Sequence, residues 1–315
     1  MGSGIDITGS ARMATILTAG LINIETTLKV DGFPVTYEPA RYPFFGVNST
    51  VSGVGYNIAR ALTTLGDDVR FLSLIGDDAG GLLVRADLER IGVNGSRVLS
   101  ALGHTAQSVI LYDPDGKRAI FTDLKDIQEQ AYPAEAAQAA LSGCDMAVIC
   151  NINFARPMLA LARAAGAPIA TDVHAIGDPN DAYNRDYMAA AEVLFQSHEN
   201  LPGSAHEWIY GLWERYKTPV AVVGMGGEGA LLGVRADSVI EHIPAVYTRP
   251  VVNTIGAGDA LFSAFVHGYA RTRDPYAAIR NAVIFASYKI GVAGAADGFL
   301  SAAELADWSA RVMPS

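Results

Sequence analysis

The sequence predicts an α/β fold: a three-layer αβα sandwich with a mainly parallel central sheet, and a small β-sheet lid beside it. Three observations predict it. Short apolar, β-rich runs alternate with amphipathic stretches of roughly 10–16 residues, the rhythm of βαβ units whose crossovers cover both faces of a parallel sheet. Two polar segments punctuated by Pro and Gly interrupt that rhythm and suit a small sheet with one solvated face. Finally, 315 residues, 50% of them apolar and only 18% charged, supply a large core and lie far from the composition of a disordered chain.

Residues 1–13 are small and polar and end in a second methionine, Met13, so they read as an expression leader or a disordered segment outside the fold. The run at 14–21 (ATILTAGL) is the first buried strand, closed by glycine. Residues 24–52 carry sparse, alternating apolar positions broken by Gly32, Pro34, Pro39 and Pro43. Residues 104–125 hold two strand patterns joined at Pro114, Asp115 and Gly116. These two pieces form the lid; 14–23, 53–103 and 126–315 form the core. Within the core the periodicity predicts helices over 57–65, 80–91, 134–141, 155–165, 205–216, 260–271 and 275–290. Strands are expected over 69–75, 146–150, 168–172, 193–196 and 220–224. In such sheets ligands sit beyond the carboxyl ends of the strands, so the loops after strands are where chemistry is expected.

Lys and Arg total 23 against 33 Asp and Glu, a formal charge of −10, which argues against nucleic acid and anionic membranes as partners. Cys144 and Cys150 are too few for a disulfide framework or a zinc site and are expected to be reduced and buried. The sequence shows neither a secretory signal pattern nor a membrane-length apolar run, and the expected location is cytoplasmic.

The chemistry concentrates at residues 253–259 (NTIGAGD), between a β-rich run at 250–252 and a long amphipathic helix. Gly256, Ala257 and Gly258 let the backbone approach a ligand and aim successive N–H groups where the helix dipole is positive, which makes an anion hole. Asp259, at the helix start, has two readings. It is either an N-cap that serves only its own helix, or a base that takes a proton from an alcohol attacking a phosphorus held by those N–H groups. No Lys-Ser or Lys-Thr pair follows the glycines, which excludes a Walker-type loop.

NTIGAGD followed by ALFSAF resembles the C-terminal signature of the ribokinase-like (PfkB) carbohydrate kinases, and residues 52–66 (SGVGYNIARALTTLG) resemble the N-terminal one. Gly76, Asp77 and Asp78 follow in the family's Gly-x-Asp style. The two signatures stand in the expected order about 200 residues apart, and the resemblance spans residues 14–311. It implies an ATP-dependent kinase with Mg²⁺ that phosphorylates a hydroxymethyl group of a small sugar, or alternatively a nucleoside kinase, and a homodimer formed through the lid. A catalytically silent binding protein on the same fold is the third reading.

The resemblance also assigns residues. Asp259 is the catalytic base, and Gly256, Ala257 and Gly258 the anion hole. Asn23 and Glu25 stand where the family has an Asn-x-Asp that holds substrate hydroxyls, with Glu in place of Asp. Gly53, Gly55 and Asn57 match the glycine turn and asparagine that bind the acceptor; otherwise they are a plain turn and N-cap. Asn151 and Asn153, beyond the strand at 146–150, point to the same sheet edge. For the nucleotide, the resemblance selects Gly224, Gly226 and Gly229 in GMGGEG, Thr254, and Asn281; a turn and a solvent-facing helix residue are the plain alternatives. The family's Asn-x-x-Glu stands here as Ser197-His198-Glu199-Asn200, so either Ser197 and Asn200 replace the pair or Glu199 serves from a shifted register near Mg²⁺. Asn253 replaces an aspartate that holds a monovalent cation in potassium-activated relatives, so dependence on such a cation does not follow. Asp172, before His174, is expected to cap the next segment, and Lys117 and Arg118 to end a solvated hairpin.

Overall fold

The computed structural model describes residues 13–312. The leader expected at the N-terminus lies outside the described residues apart from Met13, which is exposed. Among the described residues, nine strands form the large sheet. In chain order its parallel part consists of β1 (Thr15–Ala19), β4 (Asp68–Gly76), β5 (Val98–Leu102), β8 (Met146–Ile149), β9 (Ile169–Asp172), β10 (Val193–Ser197) and β11 (Val220–Gly224). An antiparallel pair, β12 (Ala230–Val234) and β13 (Val239–Ile243), closes one edge. The spatial order is β13-β12-β11-β10-β9-β8-β1-β4-β5. The second sheet, β3-β2-β6-β7, joins β2 (Asn23–Lys29), β3 (Val47–Ser52), β6 (Gln107–Tyr112) and β7 (Arg118–Asp123). The helices are α1 (Val54–Thr64), α2 (Ala79–Arg90), α3 (Ala134–Leu141), α4 (Met158–Ala164), α5 (Arg185–Ala190), α6 (Ala205–Tyr216), α7 (Ala257–Thr272), α8 (Pro275–Lys289) and α9 (Ala302–Val312).

The central strands β8 and β10 are apolar and buried nearly end to end, as a sheet covered on both faces requires. In the small sheet β6 alternates, with Ser108 and Ile110 buried and Gln107 and Val109 exposed. One face of that sheet therefore meets solvent. The chain leaves β1 toward β4 on one side, while β8 and its successors extend the sheet on the other, so β1 and β8 flank the switch point. Their carboxyl ends diverge there and open the crevice in which ligands of such sheets bind.

Several expectations are corrected. The run at 250–252 is not a strand: the backbone N–H groups of Val252 and Asn253 both donate to the Ile290 carbonyl at the end of α8. The helix expected from 155 starts at Met158, because Pro157 occupies its N-cap after a short 3-10 turn. The helix expected from 260 starts at Ala257, so Asp259 lies inside it. Cys150 is buried, but Cys144, in the turn between α3 and β8, is only half-buried, with its Sγ on the Ala140 carbonyl. Both cysteines are free.

Asp78 joins the two sheets. It caps α2 by accepting from the Gly81 N–H at 2.8 Å, and it accepts from the Thr105 N–H and hydroxyl at 2.9 and 2.6 Å, where the chain enters the small sheet. These hydrogen bonds, the Thr105 hydroxyl foremost, hold its carboxyl down at about 2. A depressed folded-state pKa stabilises the fold above the ordinary carboxylate range and loses that contribution as pH falls through the folded value. Asp78→Ala is expected to cost about 1–2 kcal/mol in urea denaturation at pH 7, in line with loss of an N-cap. The difference from wild type should shrink between roughly pH 4 and pH 2.

Candidate active site

The site begins with a backbone crossing. Gly20, just past β1, packs on Gly55 in the first turn of α1: a Cβ on Gly20 would lie 2.7 Å from the Gly55 Cα and 2.5 Å from the Cys150 Sγ beyond β8. Gly53, the N-cap of α1, has φ 111, and a Cβ there would lie 2.6 Å from the Leu21 carbonyl oxygen. These glycines let α1 start in the crevice at the switch point. Asn57 is therefore not a cap. It is buried inside α1, and its Nδ2 donates to Asp259 Oδ2 at 2.7 Å.

Asp259 does not cap its helix either. Gly256 is the N-cap of α7, in the left-handed region at φ 76, and the Asp259 carboxyl turns inward to Asn57. It is half-buried. Burial raises its pKa and the nearby charge of Asp172 adds to that, against the hydrogen bond from Asn57 and the charges of His174 and Lys289; the net direction is upward. Glu25 joins the same cluster from β2. Burial raises its pKa and the charge of Asp259 adds to the rise, while the Ser52 hydroxyl, donating to it at 3.2 Å, and Lys289 pull it down. The extra methylene of Glu over Asp carries the carboxylate to Ser52. Asn23 is buried beside it and donates from Nδ2 to the Ser108 hydroxyl at 2.8 Å. Asn23 Oδ1 and Asn57 Oδ1 are buried without a hydrogen-bond partner among the described residues. Two unsatisfied acceptors behind one carboxylate fit a ligand that brings hydroxyl groups.

The turn before α7 is tightly built. Asn253 Oδ1 accepts from the Ile255 N–H at 2.7 Å, an Asx turn that leads into Gly256. A Cβ on Gly256 would collide with the Ala295 carbonyl, whereas one on Gly258 would meet open space. The first N–H groups of a helix have no intrahelical partner, so the exposed Gly258 side of this turn can receive an anion. Lys289, at the end of α8, is fully buried against the same turn; its one sign in the sequence is a lysine set within the apolar run 282–292.

The other expected residues divide. Ser197 and Gly224 are register partners at the carboxyl ends of β10 and β11, at the edge where a nucleotide was expected. His198 donates its N–H to the Gly224 carbonyl at 2.9 Å, and the Ser197 hydroxyl accepts from the Glu199 N–H at 3.2 Å. Glu199 is exposed, and Asn200, at φ 71, donates from Nδ2 to the Ala175 carbonyl at 3.4 Å. Gly226 has φ 57; Gly229, at φ 102, has no room for a Cβ beside the Ile243 carbonyl, which makes it a turn residue in the first place. Thr254 is exposed, with its carbonyl accepting from the Ala257 N–H, and Asn281 is half-buried on α8. Among the described residues no hydrogen bond joins these residues to the Asp259 cluster. Asn151 and Asn153 are engaged elsewhere: Asn151 Nδ2 donates to Asn184 Oδ1 at 2.9 Å, and Asn153 Oδ1 accepts from Arg156 at 3.2 Å. Asp172 accepts from the His174 N–H at 2.8 Å, the local cap expected of it. Arg118 opens β7, beside the turn at Lys117. A cleft on the far side of Ser52, lined by Ser49, Tyr56, Arg60, Arg90 and Asp297 among others, does not include Asp259.

The carboxylate thus stands behind the first amides of a helix at the switch point of a mainly parallel sheet, where ligands of α/β folds bind. The chain belongs to the pfkB family of carbohydrate kinases, whose description matches residues 13–302. Among curated relatives it is 29% identical over 265 residues to an ATP-dependent ribose-1-phosphate kinase of Halopiger xanaduensis, covering 81% of this chain and 84% of that one. It is 25% identical over 292 residues to an acarbose 7(IV)-phosphotransferase of Actinoplanes, covering 92% and 96%. Among solved structures, a microbiome-derived acarbose kinase superposes with a TM-score of 0.85 at 24% identity over 95% of this chain and 100% of that one. A Burkholderia thailandensis nucleoside kinase in complex with inosine gives 0.74 at 20% identity over 95% and 97%.

The two glycines of the turn should separate in stability. Gly256→Ala forces a left-handed residue against a carbonyl and is expected to cost at least about 1–3 kcal/mol. Gly258→Ala is expected to melt near wild type, because its Cβ enters free space. Thermal denaturation of the two variants checks this.

Proposed function

We propose that this protein transfers the γ-phosphoryl group of ATP to a hydroxymethyl group of a small sugar. The observation that carries the reading is the Asp259 carboxyl, held inward by Asn57 at the start of α7 and next to a turn with room for an anion. Asn57 occupies Oδ2, and Oδ1 receives the proton of the acceptor hydroxyl. The hydroxyl oxygen bonds to the γ-phosphorus as the bond from that phosphorus to the β,γ-bridging oxygen breaks, and ADP departs. A raised pKa suits the task, since a base near the operating pH takes the proton with more driving force than an ordinary aspartate. Asn23 and Asn57 hold the acceptor's other hydroxyls through the amide oxygens the fold leaves unpaired, and Glu25 adds its carboxylate beside them.

The amides of Gly256 and Gly258 stabilise charge on the transferred group, whereas that of Ala257, expected to share the anion hole, is taken up by the Thr254 carbonyl. Mg²⁺ enters with ATP as part of the substrate, with Glu199 and Asn200 at the sheet edge available to its water shell. Ser197, Gly224, Gly226, Thr254 and Asn281 lie along the nucleotide. The small sheet acts as the lid that keeps water from becoming the acceptor. Val109 and Phe121, cross-strand partners on its exposed face, form the surface through which two copies pair, which covers an apolar patch otherwise open to aggregation. Among the described residues no helix is long and apolar enough to cross a membrane; the cytoplasm remains the location this reading assigns. Relatives named for ribose-1-phosphate and acarbose support a sugar acceptor. A nucleoside is the second reading, favoured by the exposed rings of Tyr37, Tyr42, Phe44 and Phe45 between β2 and β3, which are able to stack on a base.

An ADP-release screen across sugars and nucleosides tests both readings. A sugar is expected to give the highest kcat/KM. Asp259→Asn is expected to lower kcat about 10²–10⁴-fold with ATP affinity little changed. Undiminished turnover in that variant would remove the proposed base.

A further inference from the structure

Lys289 is 0% exposed, although lysines are almost never fully buried without a partner for the charge. Its Nζ donates to two backbone carbonyls, those of Ile255 and Gly294, the latter at 2.6 Å. Neither is a carboxylate. Ile255 directly precedes Gly256, and Gly294 directly precedes Ala295, whose carbonyl closes on Gly256. The ammonium group therefore sits beneath the anion turn and ties together the two chain segments that shape it. Burial pulls its pKa down to about 8, while the charges of Asp259, Asp297 and Glu25 act the other way and favour the ammonium form. A cation held by inward-facing carbonyl oxygens is the coordination that a monovalent ion such as K⁺ receives from protein, here delivered on a side chain.

We propose that Lys289 is a positioning residue, a covalently tethered monovalent cation that holds the Ile255 and Gly294 carbonyls together and so keeps the amides of Gly256 and Gly258 aimed at the transferred phosphoryl group. The catalytic part of this role rests on the phosphotransfer reading above; the cradle itself does not. The tethered charge makes the native protein indifferent to added monovalent cations. Removing the side chain leaves a cavity walled by carbonyl oxygens that a free ion of similar size enters, whereas a neutral side chain of similar length fills the cavity and keeps the ion out.

Wild type, Lys289→Ala and Lys289→Met are compared in potassium, ammonium, sodium and choline chloride at equal ionic strength. Melting temperature is read without substrates, and kcat and KM with ATP and the best acceptor. Wild type is expected to show the same melting temperature and kcat in all four salts. Lys289→Ala is expected to lose about 10²-fold in kcat in choline, with acceptor KM little changed, the size of effect seen when one oxyanion donor is lost. Potassium or ammonium should restore part of its kcat and raise its melting temperature; Lys289→Met should lose activity in every salt without rescue. Full turnover of Lys289→Ala in choline, dependence of the wild type on potassium, or equal lack of rescue in both variants would overturn the proposal. If Lys289→Ala does not fold in any salt, rescue is lacking in both variants and the proposal fails; if it folds only with potassium or ammonium, the proposal stands. If no acceptor is phosphorylated by the wild type, the phosphotransfer reading fails, while the salt dependence of the melting temperatures still decides the cradle.

Discussion

The side chains of Asn57 and Asp259 meet at 2.7 Å across 202 residues of sequence, and the architecture around them is arranged to make that contact possible. Asn57 comes from the helix that starts at the end of β1, Asp259 from a helix near the C-terminus. For the two to touch, α1 has to enter the crevice with its backbone against Gly20, a crossing that any Cβ at 20 or 55 would obstruct. At the far end of α7 a second long-range contact, the Asp67 carboxylate with His267 at 2.7 Å and Arg271 at 2.9 Å, anchors the helix next to the C-terminus of α1. The helix bearing the carboxylate is thus held at both ends by residues from the N-terminal third of the chain.

The electrostatics of the cluster follow from relative magnitudes. Taking a carboxylate out of water costs several kcal/mol, whereas one charge-assisted hydrogen bond returns about 1.5–3 kcal/mol. A single amide donor at Asp259, with His174 and Lys289 at longer range, therefore offsets burial only in part, and the pKa rises. Asp78 shows the opposite balance: three donors on a more accessible carboxylate outweigh desolvation and its pKa falls. Two aspartates at helix starts are thus shifted in opposite directions, Asp78 downward and Asp259 upward.

Much of this was legible in the sequence because it depends on local pattern. The β–α rhythm gave β11, α3 and α6 at their observed bounds, and the paired glycine segments located both site helices, although each starts three residues before its expected position, at 54 rather than 57 and at 257 rather than 260. The short strand β5 and the antiparallel β12 and β13 were passed over, since runs such as VLSAL and ALLGV carry no period of their own and are defined by neighbours in the sheet. The one-turn-and-a-half helix α5 was missed for the same reason. The capping readings for Asn57 and Asp259 failed because residue type and position along a helix do not reveal which way a side chain turns once two helices meet. Lys289 escaped because its partners are backbone carbonyls, which every residue possesses and no motif records. Asn151 and Asn153 lie on the expected edge, but their polar atoms are taken up by Asn184 and Arg156.

The proton affinity of Asp259 is the most direct measure of the account. In protein carrying ¹³C-labelled aspartate, with the resonance assigned through Asp259→Asn, the carboxyl shift is followed against pH in wild type and in Asn57→Ala. The account predicts a midpoint above the ordinary aspartate value of about 3.9 in the wild type, and a further rise when the amide donor is removed. A midpoint at or below that value, or one unmoved by loss of Asn57, would contradict it.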